Sequence, residues 1–211
     1  MATVHPGFDI AAGMNRRHLL AALLAALAAP AFAQTAPGAK EDLVPVAIET
    51  SVGRIVVALD RGRAPVTTAN FLKYVDAKRY DGESFYRAMK VGESGGLVQG
   101  GIRSDSRKLY PPIAHEPTSQ TGIKHVAGTI SMANAGAGTA RADFFILVSD
   151  IPSFDATATD PGFAAFGRVT EGMEVVKAIL AAPVSPTKGE GAMQGQMLDP
   201  VVKIVRAERV K

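Results

Sequence analysis

The sequence predicts a mainly β protein whose antiparallel sheet closes on itself, with two helices packed against it. Three observations carry this. Strand-like runs are short and closely spaced, with Gly and Pro turns between them. Only two segments have helical spacing. The final strand-like run is placed to seal against the first and so remove exposed sheet edges. The 211 residues favour one domain plus an appendage.

The elements follow in order. Val44 to Thr50 is strand-like, and so is Arg54 to Leu59, with Ile55, Val57 and Leu59 on one face. Ser51-Val52-Gly53 between them reads as a hairpin turn. Pro65 suits the first position of a helix that runs on from Thr67 to Tyr74, with Phe71 and Val75 four apart. Ser84 to Ala88 and Leu97 to Gln99 are short strands. Thr129 to Met132, Phe144 to Val148 and Phe163 to Val169 follow as further strands. Met173 to Leu180 has helical spacing, with Val176 and Leu180 paired. Ala181 to Pro200 mixes Pro, Gly, Gln and Met without period and reads as a long loop. Val201 to Val210 is the closing strand.

The N-terminus reads as a leader. Asn15-Arg16-Arg17-His18 precedes Leu19 to Ala29, all Leu or Ala, and Ala31-Phe32-Ala33 ends the segment. A basic region, a short apolar run and an A-x-A end describe a secretory signal, with cleavage expected after Ala33. Residues 1–33 are therefore an extension and signal, 34–43 a linker, and 44–211 the folded domain. The mature protein is expected in the periplasm, with no stable membrane insertion after cleavage. The Arg pair before Leu-Leu also permits a twin-arginine signal.

Composition removes several classes of function. There is no Cys, so disulfides, zinc–thiolate sites and thiol nucleophiles go together. Net charge is +3 with no basic run interleaved with aromatics, so no nucleic-acid partner is expected. His115-Glu116 and His125 lack the spacing of a helical metal site.

One loop stands out: Ala133 to Ala142 is built of small residues, entered by Ser131-Met132-Ala133-Asn134 and left by Phe144-Phe145. It joins four other pieces in order: Pro65 to Phe71, Phe85-Tyr86-Arg87, Gln99-Gly100-Gly101, and Phe166-Gly167-Arg168-Val169 with Glu171-Gly172-Met173. In that order, from about Val44 to the end, the chain resembles a cyclophilin-type peptidyl-prolyl cis-trans isomerase. The resemblance implies an eight-stranded antiparallel β-barrel capped by two helices, with a substrate groove along the outside. It implies Arg87 as the catalytic residue and Gln99 as a partner of the substrate backbone. Asn134, through its main chain, would hold the residue before proline, with Ala133 beside it. Phe145 would floor the proline pocket, Leu97 would wall it, and Phe154 and Phe163 would complete it. Substrates would be proline-containing polypeptides, and the protein would act as a monomer assisting folding.

The chemistry agrees. Rotation about a peptide bond faces a barrier of about 18–20 kcal/mol, set by conjugation of the nitrogen lone pair with the carbonyl. Lowering it needs a donor aimed at the prolyl nitrogen and a dry pocket for the ring, with neither nucleophile nor metal; no cofactor is expected. Arginine, always charged and bearing several fixed donors, suits the task.

Some positions depart from the family pattern. Met89 to Gly96 reads as an insertion, and Gly96 and Ser153 stand where aromatic rings are expected. Asp143 replaces a Gln. The pocket is expected to be more open than usual. Two rival readings follow. One is a cyclophilin-like module that binds proline peptides without useful catalysis. The other is a serine hydrolase using Ser94 in Gly92-Glu93-Ser94-Gly95-Gly96, a G-x-S-x-G match.

Overall fold

The computed structural model describes residues 40–210. The leader and most of the linker lie outside the described residues. Leu43–Thr50 (β1) and Gly53–Asp60 (β2) form an antiparallel hairpin in which Thr50 faces Gly53. The Thr50 hydroxyl locks the turn, donating to the Gly53 carbonyl at 2.6 Å and accepting from the Val52 amide at 3.2 Å. Just before β1, Asp42 is tied to Arg61 and Glu41 to Arg63 and Arg168, so the chain is fastened to the domain from Glu41 onward.

Helix α1, Pro65–Asp76, has Pro at its first turn and no side-chain cap of its own. Its cap arrives from far along the chain. The buried Glu116 carboxylate accepts from the Val66 amide at 3.0 Å, the Thr67 amide at 2.7 Å and the Thr67 hydroxyl at 2.7 Å. An anion at a helix N-terminus meets both the unpaired amides and the positive end of the dipole. Glu116 is therefore a helix cap.

Ser84–Val91 (β3) and Gly95–Gly101 (β4) make the next hairpin. After it come a four-residue helix, Thr118–Thr121 (α2), then Thr129–Met132 (β5), Phe144–Leu147 (β6) and Ala164–Glu171 (β7). Helix α3 is Met173–Ala181. Besides short 3-10 turns, the structure adds one α-helix and one strand that the sequence did not announce. One is α2. The other is Val184–Ser185 (β8), a two-residue strand within the stretch expected to be loop. The closing strand also starts earlier than expected: β9 runs Met197–Arg209.

The sheet order is β1-β2-β7-β5-β6-β4-β3-β9-β8, and β1 pairs with β9, so eight strands close a barrel and β8 lies outside it on β9. All pairings are antiparallel. The interior is filled by inward residues such as Ile48, Val57, Leu59, Val98, Ile130 and Ile146, all buried. Beneath α1, Phe71 lies 5.0 Å from Tyr80, 5.3 Å from Phe144 and 5.4 Å from Phe166, ring centroid to centroid. These are the tilted and edge-on distances at which aromatic pairs gain beyond simple burial.

Candidate active site

Alternation along the strands builds the site. Cross-strand partners share a face of the sheet. Arg87 faces Gln99, Gln99 faces Phe145, and Phe145 faces Ser131, so four strands contribute one outward row. The next row, Ala88, Val98, Ile146 and Ile130, points into the barrel and is buried there. The row after that, Met89, Leu97 and Leu147, faces outward again. A second apolar cluster thus forms outside the barrel: Leu97, Phe145, Leu147 and Ile151, with Met89, Ala133, Phe154 and Phe163 packed against it. It contains every apolar residue that the resemblance implied for the pocket.

The rings of this cluster enclose Phe145. Its centroid is 5.6 Å from Phe154 and 5.3 Å from Phe163, both edge-on, and Phe154 and Phe163 are 4.8 Å apart. Behind Phe145 stacks the ring of His125, at 6.1 Å and 22°. The Asp155 carboxylate accepts from His125 Nδ1 at 2.9 Å, which leaves Nε2 to accept the Ser131 hydroxyl at 3.0 Å. Burial lowers the His125 pKa, so the ring is neutral. For Asp155, burial alone would raise the carboxyl; hydrogen bonds from the His125 ring and amide, with Lys124 nearby, outweigh it and hold the pKa low. The order Ser–His–Asp is that of a hydrolase relay. Ser131 and His125 are buried, however, so the chain of bonds serves as a scaffold behind Phe145.

At the other end of the row, Arg87 is half-buried. Its Nη1 donates to Gln99 Oε1 at 2.8 Å. Gln99 Nε2 donates to the Tyr86 hydroxyl at 2.7 Å, which donates to Asp143 Oδ2 at 3.0 Å. On its other edge, Arg87 donates through Nε and Nη2 to Gln196 Oε1, at 2.9 and 2.7 Å. Burial pulls the guanidinium below its ordinary value, though an arginine stays charged. Burial raises the Asp143 carboxyl, and the Tyr86 hydroxyl, buried beside that carboxylate, is raised as well. The hydroxyl therefore keeps its proton and donates it.

Beyond this row the small-residue loop makes one side of a cavity of about 300 Å³, lined by Tyr86, Gln99, Arg103, Ala133, Asn134 and Asp143 among others. The Ala133 amide is bound to the Asp143 carbonyl at 2.8 Å. The Asn134 side chain accepts from the Gly136 amide at 3.1 Å, holding the loop's turn. Neither backbone group of Asn134 is engaged by a described residue, and both remain available to an extended chain.

The departures from pattern resolve locally. At Gly96 (φ +133°) a Cβ would lie 2.0 Å from the Met89 carbonyl, so no side chain fits there. Met89, opposite Leu97 on the neighbouring pair, packs against the outer apolar cluster. Ser153 is exposed in the short 3-10 turn Pro152–Phe154 and brings no ring. Ser94 sits in the turn between β3 and β4, so the strand-to-helix elbow of a serine hydrolase is absent there. Three participants escaped the sequence reading: Tyr86, His125 with Asp155, and Gln196. Tyr86 flanks Arg87 but joins the same network only because the register shifts between Phe85 and Arg87.

Residues 45–209 match the family described as cyclophilin type peptidyl-prolyl cis-trans isomerase/CLD. The chain belongs to the cyclophilin family. It is 36% identical over 197 residues to peptidyl-prolyl cis-trans isomerase A of Dickeya dadantii, covering 90% of this chain and 95% of that protein. It is likewise 36% identical over 164 residues to the isomerase cyp18 of Streptomyces antibioticus, covering 74% and 93%. A crystal structure of a Cryptosporidium parvum cyclophilin superposes with a TM-score of 0.65 at 19% identity, covering 81% of this chain and 99% of that one. The closed eight-stranded barrel is thus the cyclophilin barrel, and the outward row lies on its outer surface.

Proposed function

We propose that Arg87 is the group through which this peptidyl-prolyl isomerase accelerates rotation about X-Pro bonds. The carrying observation is the outward row itself. It sets a charged, half-buried guanidinium two strands from Phe145, with Gln99 between them. A substrate proline ring seats on Phe145 among Leu97, Phe154 and Phe163, displacing water from an apolar face. Gln99 and the free backbone of Asn134, beside Ala133, hold the substrate's main chain extended across the cavity. Arg87 then donates to the prolyl nitrogen as its lone pair leaves conjugation with the carbonyl. Because that lone pair is localised only in the twisted amide, the bond is stronger in the transition state than in either ground state. A thousandfold acceleration asks for about 4 kcal/mol. One charge-assisted hydrogen bond in a desolvated groove supplies much of this, as such bonds are worth about 1.5–3 kcal/mol.

The isomerase acts on exported polypeptides in this reading, which rests on the basic, apolar and A-x-A order at 15–33. Intact mass of the protein recovered from the periplasm should start it at Gln34; a chain retaining Met1 in the cytoplasm would overturn this. For the catalytic assignment, a protease-coupled proline isomerisation assay compares wild type with Arg87→Ala. The variant is expected to lose most of the acceleration with its fold intact. Equal rates would remove Arg87 from the chemistry and leave peptide binding as the groove's function.

A further inference from the structure

The segment before β9 turns inward to touch Arg87. Met197 pairs with Arg87 in the β3–β9 register, and the Ala88 amide donates to the Gln196 carbonyl at 2.9 Å. This backbone tie fixes where the Gln196 side chain begins. Its Oε1 then accepts twice, from Arg87 Nε at 2.9 Å and from Nη2 at 2.7 Å. The loop behind it is itself tied down: the Gln196 amide donates to Met193 at 3.1 Å, and the Gly195 amide to Lys188 at 3.0 Å.

A guanidinium has five N–H donors. Gln196 takes two, Gln99 Oε1 takes one from Nη1 at 2.8 Å, and the Met89 sulfur lies 3.5 Å from Nη2. One hydrogen, on Nη1, is left without a partner among the described residues. Both strong acceptors are amide oxygens. A carboxylate at either place would hold the arginine equally well, but it would neutralise the charge that makes the free N–H a strong donor.

We propose that Gln196 is a positioning residue for the isomerisation. It clamps the Nε edge of Arg87 with a neutral acceptor, so that the remaining Nη1 hydrogen is kept for the substrate at full charge. The inference rests on Arg87 being the catalytic group. It also gives the aperiodic stretch before β9 a task in the active site.

The test compares wild type, Gln196→Met, Gln196→Glu and Arg87→Ala in steady-state isomerisation, with urea unfolding and the Arg87 Nε–H resonance followed by NMR. Gln196→Met keeps the side chain's length and removes the acceptor. It is expected to lower kcat about tenfold with KM within about twofold, and to shift or broaden the Nε–H signal. Gln196→Glu is expected to hold that signal sharp yet still lower kcat. Wild-type kcat in Gln196→Met, alongside an inactive Arg87→Ala, overturns the clamp alone. A lower urea midpoint with kcat unchanged does the same, assigning Gln196 a purely structural role. Gln196→Glu at or above wild-type kcat overturns the need for a neutral acceptor. An active Arg87→Ala overturns the catalytic reading on which the clamp depends.

Discussion

Replacing Tyr86 by Phe removes one oxygen and breaks two hydrogen bonds. The ring is buried, and its hydroxyl accepts from Gln99 Nε2 at 2.7 Å and donates to Asp143 Oδ2 at 3.0 Å. Phenylalanine keeps the ring, and so keeps the Arg103 guanidinium 4.7 Å above it. What remains is a buried amide N–H and a carboxylate, whose other oxygen, Oδ1, is already unpaired. Each lost bond costs about 1–1.5 kcal/mol, and the stranded carboxylate adds more, for a total of about 2–4 kcal/mol. Typical domains have about 5–15 kcal/mol in hand, so the variant folds. The Gln99 amide, released at one end, also holds Arg87 less firmly at the other, and kcat is expected to fall severalfold. Urea unfolding followed by circular dichroism reads the stability. Because the loss is shared through one bond, Tyr86→Phe and Asp143→Leu combined should cost less than their sum by about 1 kcal/mol or more. Additivity within about 0.5 kcal/mol, or a single-variant loss below that, would show that no relay links Gln99 to Asp143.

Glu116→Ala strips the α1 N-terminus of three bonds at once, and a loss of about 3–5 kcal/mol is expected in the same unfolding experiment; a loss under 1 kcal/mol would mean water caps the helix equally well. Acid should also weaken the fold. His125 binds its proton less readily folded than unfolded, so its contribution is complete above the unfolded value of 6.5 and declines as pH falls below it. Asp155, held low, adds its own loss only at more acid pH, below its ordinary 3.8. The urea midpoint should therefore drop between pH 7 and pH 5, and the drop should shrink in His125→Gln. An unchanged drop in that variant would place the titrating group elsewhere.

The barrel was legible because its rule is local. The short apolar run from Ile55 to Leu59 and the turn at Ser51–Val52 are written within a few residues. The outer apolar cluster was partly legible for a different reason. Leu97, Ala133 and Phe145 sit within motifs that the resemblance covers, and register places Leu97 and Phe145 on the outer face of the sheet. Phe154 and Phe163, where the family carries other residues, join them from a 3-10 turn and from the loop before β7. Tyr86, Gln196 and Glu116 were not legible. Each acts through a partner distant in sequence: Tyr86 on Asp143, Gln196 on Arg87, Glu116 on Val66 and Thr67. No local period marks such residues. Gln196 in particular lies in a stretch rich in Gly and Met whose order comes from backbone bonds within the loop and to β3, not from a side-chain period. The apparent insertion from Met89 to Gly96 was likewise opaque as sequence. In the structure it forms the end of the β3–β4 hairpin, with Gly96 paired to Lys90 and Met89, one pair inward, packed against the outer apolar cluster.

The central claim is that a directed guanidinium at position 87, rather than positive charge alone, drives the rotation. Two-dimensional NMR exchange on a proline-containing tetrapeptide measures cis-to-trans interconversion directly, without a coupling protease. With wild type, Arg87→Lys and Arg87→Ala at equal concentration and matched circular dichroism, the account predicts rapid exchange only for wild type. Arg87→Lys should fall at least tenfold, because an ammonium cannot engage Gln99 and Gln196 from two edges and still point a third donor at the substrate. Exchange by Arg87→Lys or Arg87→Ala at the wild-type rate would contradict it.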